Sequence, residues 1–137
     1  MERVTQVQLV DLINRSGPLW LVGLDFSGLS FRNAVVKLAD FSGSKLNNTD
    51  LRNAEMNGAV LSGVDLSGAD MSNAKLLYAK MHHANLEGTS LQGAVLIGAI
   101  LVGANLKNAN LKGANIQDAN LEGAVFENTI LPNGLIR

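Results

Sequence analysis

His82 and His83 are the only histidines in the chain, and with the serines they are the residues whose types could do nucleophilic or metal chemistry. A serine nucleophile needs a base within hydrogen-bond reach. Ser62, Ser67, Ser72 and most other serines recur at positions that read as solvated surface, with no base at a matching position. Two adjacent histidines make a poor zinc set, because zinc usually takes about three or four protein ligands. There is no cysteine, which excludes disulfides, thiolate metal sites and thiol nucleophiles. The glycines recur at a fixed period and lack the strand–loop–helix context of a phosphate-binding loop. We therefore expect no catalytic residue, no metal and no cofactor.

Charge narrows the field further. Lys and Arg total 11 against 12 Asp and Glu, a net charge of -1. That balance argues against a basic nucleic-acid binder and equally against a strongly acidic chain. No run of 18 apolar residues occurs, so no membrane-spanning helix is expected. Met1-Glu2-Arg3-Val4-Thr5 lacks the pattern of a secretion signal, and the chain reads as cytoplasmic.

One repeat organises everything else. From Phe26 to Leu131 an apolar residue returns every five positions, twenty-two times without a break. Two residues before each of these centres the side chain is small in twenty cases, fifteen of them Ala; only Leu24 and Leu29 are large. Two residues after the centre, Gly stands eleven times and Asn seven. A step of five scatters centres around an α-helix and alternates them across a flat strand. All centres reach one interior only if the chain turns once per repeat. Gly and Asn fit that turn, because a type II turn needs φ > 0 at its third residue. The centre and the small residue before it then point inward, and the other three positions point outward.

The run Ala104-Asn105-Leu106, Ala109-Asn110-Leu111, Ala114-Asn115-Ile116, Ala119-Asn120-Leu121 resembles the pentapeptide-repeat family, whose pattern is Ala-(Asp/Asn)-Leu-X-X. The resemblance covers residues 21–131. It implies an all-β solenoid, a right-handed quadrilateral β-helix with 20 residues per coil, here about 5.5 coils. It also makes a cyanobacterial source a natural expectation.

The ends need covering, since each exposes core and unpaired backbone. Thr5 and Gln8 form a capping-box pattern. Val7, Leu9, Val10, Leu12 and Ile13 supply a broad apolar stripe, and Gly17-Pro18 a stop. A capping helix over about residues 5–16 is expected, with Trp20 and Leu21 leading into the first coil. The chain thus divides into a cap and lead-in (1–20), the β-helix (21–131) and a tail (132–137). In the tail, Leu135 and Ile136 fold over the last coil or meet a second subunit.

Folding the sequence at the family's 20 residues per coil gives two functional readings. Val60, Leu77, Tyr78, Val95, Ile97, Ile100 and Val102 gather on two neighbouring sides as an outward apolar patch. Such patches mark partner surfaces, while β-branched residues also favour strands. The first reading is a non-enzymatic protein–protein interaction or scaffold module with an unidentified protein partner or a second copy of itself, without membrane or direct nucleic-acid contact. The alternative is a DNA-mimicking modulator of DNA gyrase or topoisomerase, as some family members are. Asp50 with Asp70, and Asp25 with Asp65, form acidic columns, but Lys45, Arg32 and Arg52 interrupt them.

Overall fold

The computed structural model describes residues 1–137. The backbone hydrogen bonds of one repeat explain why the pentad is stable. Around centre Leu86, the Leu86 N–H donates to Asn105 O (2.8 Å) and the Gly88 N–H to Lys107 O (2.9 Å), both in the following coil. The Asn85 N–H donates back to Val64 O (3.0 Å), and the Thr89 N–H closes the turn on Leu86 O (3.1 Å). Only the N–H one residue after the centre is left, and the Asn85 side chain takes it at 3.2 Å. Every donor of the pentad is thereby satisfied, as buried or half-buried backbone requires.

This accounting explains the Asp/Asn preference before each centre, which the inward pattern alone left unexplained. Ten of these positions hold Asp or Asn, from Asp25 to Asn120, and in all ten the side chain accepts that N–H. The turns are type II, as expected: φ is positive two residues after the centre and at no other position of the pentad.

Isolated parallel bridges link residues 20 apart from Trp20↔Asp40 to Asn110↔Ile130. Four repeats therefore complete one coil. Four columns of centres line the interior, and 35 buried residues form one core cluster. Leu21 is also buried and donates to Asp40 O, so the column starts one centre earlier than Phe26. Phe26, Phe31 and Phe41 are fully buried and meet edge-on, with ring centroids 5.5–6.1 Å apart. Buried Thr49, Thr89, Thr129 and Ser44 satisfy their hydroxyls on backbone carbonyls.

At the amino end, β1 (Glu2–Arg3) pairs in parallel with β2 (Leu24–Asp25). Helix α1 (Gln6–Ile13) follows Thr5, and the Thr5–Gln8 capping box forms in both directions. The helix is shorter than the sequence suggests: Asn14 is its C-cap, with its N–H on Leu12 O, so it ends ahead of Gly17-Pro18. Its apolar stripe is also narrower. Leu9, Leu12 and Ile13 pack on the core, whereas Val7 and Val10 are exposed. At 100° per residue, Val7 and Val10 lie off the face set by the 9, 12, 13 spacing.

At the carboxyl end the tail turns back. Ile136 bridges Ile130 antiparallel, Thr129 and Arg137 exchange both backbone bonds, and the Arg137 guanidinium lies 4.3 Å from the Phe126 ring centre. Ile116, Leu121 and Phe126 remain half-buried around a cavity of about 360 Å³ at this end.

Candidate functional site

The side of the coil carrying centre Leu76 runs into the side carrying centre Met81 at a corner formed by Tyr78. On the first side, Val95 bridges Lys75, and the Tyr78 N–H donates to Ile97 O at 3.0 Å. On the second, Val60, Lys80 and Ile100 bridge in one column, and the His83 N–H donates to Val102 O at 2.8 Å. The 20-residue register places all seven sequence-selected residues, Val60, Leu77, Tyr78, Val95, Ile97, Ile100 and Val102, on these two adjoining sides. Tyr78 is 64% exposed and the other six are half-buried. Val35 and Leu38, both exposed, extend the Leu76 side toward the amino end. The pattern on the Leu76 side could have identified them.

Some of these residues forgo a local contact that ten other repeats make. Val95 and Ile100 stand where Asp or Asn would accept the next N–H, and the N–H groups of Ile97 and Val102 have no protein acceptor. Tyr78 has φ 56° and Leu38 φ 60°, in the left-handed region that bulky side chains occupy at a cost.

The structure also brings together two polar groups that stack at 20 residues per coil, which corrects the expectation that no base matches the serines. His82 Nδ1 lies 3.3 Å from Ser62 Oγ. The 20-residue stacking that sets Ser62 beside His82 was the signal for it. No acidic side chain orients His82, so the pair lacks the third member of a nucleophilic triad. No three His, Asp or Glu side chains converge on a point where a metal ion could sit.

The acidic columns are interlaced with cations. Arg52 donates to both Asp50 oxygens (2.9 and 2.8 Å) and stands 3.8 Å from Asp70. Lys37 and Lys75 both pair with Glu55, at 3.0 and 3.5 Å. The Arg52 guanidinium holds the Asp50 carboxyl below its ordinary range, and the Lys37 ammonium, seconded by Lys75, does the same for Glu55. The Ser27 hydroxyl and N–H lower Asp25. Because these folded-state values lie below the unfolded ones, each group stabilises the fold above its unfolded value, and that contribution is lost as pH falls through the lowered value. The melting temperature is expected to be flat above about pH 5 and to drop below about pH 4. Arg52→Ala should make the drop slightly shallower, the effect being small because solvent screens the pair. Identical pH profiles for the two proteins would remove Arg52 as the cause.

A family model describing pentapeptide repeats matches residues 21–58, 54–93 and 89–128, with 8 copies. The chain belongs to the pentapeptide-repeat family. The solved pentapeptide-repeat structures it matches imply a right-handed β-helix, in keeping with the 20-residue register seen here. The pentapeptide repeat protein Rfr23 from the cyanobacterium Cyanothece 51142 is 25% identical, with 91% of this chain and 98% of that one covered and a TM-score of 0.58. The pentapeptide repeat protein alr5209 from Nostoc Pcc 7120 is 44% identical over 58% of this chain and 66% of that one, also with a TM-score of 0.58. A trypsin-treated variant of QnrB1, a plasmid-mediated fluoroquinolone resistance protein, shares 18% identity, with 92% and 70% covered and a TM-score of 0.60, a likeness of fold alone. No curated protein matches the chain. Pentapeptide-repeat proteins are generally structural or interaction modules. No helix here is long and apolar enough to cross a membrane.

Proposed function

We propose that this pentapeptide-repeat protein is a non-enzymatic interaction module whose contact surface is the patch formed by Val60, Leu77, Tyr78, Val95, Ile97, Ile100 and Val102. Residues 21–131 act as the rigid β-helix, α1 and its lead-in (1–20) as the cap of its amino end, and 132–137 as a tail. The proposal includes a cytoplasmic setting and, from the origin of Rfr23 and alr5209, a cyanobacterial source.

One observation carries the reading: these seven outward apolar residues, with Tyr78 at positive φ, gather on two adjoining sides of the coil. At Val95 and Ile100, as at Lys45 and Ser90, the chain also lacks the turn hydrogen bond, worth about 1 kcal/mol, that Asp or Asn supplies. Strand propensity is the competing explanation, and Val95→Asn separates the two. If Val95 serves the fold, the variant melts lower. If it serves a partner, the restored bond to the Ile97 N–H keeps the melting temperature equal or higher. The Ile97→Lys/Ile100→Lys pair is expected to leave folding intact and to weaken partner binding or self-association. Unchanged solution mass together with unchanged partner capture would end the patch reading.

A second copy of the chain, one of the two partners considered from the sequence, fits best at the carboxyl end. There exposed Leu135 and Ile136 flank the apolar cavity lined by Ile116, Leu121 and Phe126. Sedimentation of the intact chain tests this. The alternative, a DNA-mimicking modulator of gyrase or topoisomerase, has less support, because a long uniform negative field is what such mimicry needs. The acids here are interlaced with Arg52, Lys37 and Lys75. A supercoiling assay with no inhibition at micromolar protein would count against it.

A further inference from the structure

We infer that the partner covering this patch is a different protein that presents an acidic side chain beside an apolar anchor, with the acid seated on Lys80. The inference rests on the patch reading above. Lys80 is exposed, makes no ion pair within the molecule, and is bridged to Val60 on one side and Ile100 on the other. Those neighbours stand only about 4.8 Å away along the column. No surface can bury Val60 and Ile100 together without also covering Lys80. Covering that ammonium without a counter-charge is costly, which favours a partner that brings a carboxylate to it.

Among the acids nearest Lys80 across the stack are Glu55, already held by Lys37 and Lys75 on the adjoining side, and Asp40, two coils away in the Lys80 column. Between Asp70 and Asp118 the only acid is Glu87, which lies on the adjoining side. His82 stands beside Lys80. His83 occupies a corner column where the other five residues, from Gly23 to Gly123, are glycine. Tyr78 and His83 thus bound the Lys80 segment at its two corners, both in the left-handed region (φ 56° and 54°). Each leans over a glycine of the following coil: a Cβ on Gly98 would lie 2.5 Å from the Tyr78 ring, and one on Gly103 2.4 Å from His83 Nδ1. Leu38, Asn48 and Asn73 lean over glycines in the same way, so the feature particular to this point is a bulky Tyr78 held at positive φ on an exposed corner beside an unpaired lysine. Acids flank Lys80 in both directions along these sides, Asp40 and Glu55 before it and Asp118 and Glu122 after it, so the partner's acid lies over Lys80 and its apolar anchor over Ile100 and Val102. A second copy meeting patch to patch would set lysine near lysine, which is why a different chain is favoured.

The test is to pan a library of random twelve-residue peptides on the intact protein. Recovered peptides are expected to carry Asp or Glu within a few residues of Leu, Ile, Phe or Trp. Lys80→Glu should weaken their binding about 30-fold or more, the loss typical of a covered charge pair. Changing the peptide's acid to Lys should restore binding to Lys80→Glu. Tyr78→Asn should weaken binding while raising the melting temperature, because Asn tolerates φ > 0. Peptides that lose binding to the Ile97→Lys/Ile100→Lys variant but lack acids, or ignore Lys80→Glu, would overturn the acidic-partner inference and leave the patch reading standing. Recovery of no peptides, or only of peptides indifferent to Ile97→Lys/Ile100→Lys, would overturn both.

Discussion

Leu86→Asp is expected to abolish the cooperative melt, while Glu87→Ala shifts the melting temperature by no more than about 3 °C. The two residues are adjacent, so the contrast isolates direction from position. Leu86 is fully buried between the centres Leu66 and Leu106 of the neighbouring coils. Removing its side chain alone would cost about 2–5 kcal/mol. An aspartate there also places a carboxylate among leucines with no cation in reach, which adds several kcal/mol more. Domains of this size hold only about 5–15 kcal/mol in total. The damage also spreads, since each coil is stabilised by its neighbours and a break near the middle of the rod separates two short stacks. Glu87 is exposed and takes part in no ion pair, so its loss should cost no more than about 0.5 kcal/mol. Thermal melts followed by circular dichroism measure both, and equal melting temperatures would contradict the inward placement of the centres.

The second large effect comes from overfilling. Ala59, Ala79 and Ala99 stack in one inward column and have no exposed surface. Coils about 4.8 Å apart leave no space for a longer side chain between them. Ala79→Leu is therefore expected to destabilise by about 1–3 kcal/mol, read as a lower urea midpoint with an unchanged slope. Ala124→Leu provides the control. Ala124 has the same place in its pentad, in the last coil and the neighbouring column, where it is half-buried and no further coil stacks on it, so the added atoms can enter the open end. Equal losses for the two variants would mean that coil stacking does not set the size limit. The natural exceptions follow the same logic. Leu24 and Leu29 are large at this position, but they lie in the first coil, half-buried, with no earlier coil against them.

The tight inward packing bears on function as well. A core that fixes the size of two residues in every five leaves only the outward three free to vary. The departures at Tyr78, His83, Val95 and Ile100 all occur among those three, on two adjoining sides. Variation there can change what the rod binds without changing the rod.

The five-residue period by itself determined the inward columns, the type II turns and, with the family's 20-residue coil, which side chains stack: Val60 on Lys80 and Lys80 on Ile100 were legible as arithmetic. The Thr5–Gln8 cap was legible for the same reason, because a capping box is closed by residues three apart in the chain. Only the tertiary structure decided where the remaining backbone donors go. The Asp and Asn residues take the one N–H that coil stacking leaves over, and that becomes visible only when the other four donors of the pentad are assigned. It also decided which way the corner side chains lean, so that Tyr78 lies over Gly98 and His83 over Gly103. The same holds for the contact of Ser62 with His82, and for α1 turning Val7 and Val10 to solvent. A strict repeat converts distance along the chain into position across the fold, so sequence spacing predicts neighbours. The direction of a side chain and the partner of a hydrogen bond depend on torsions and on the adjacent coil, and spacing carries no information about either.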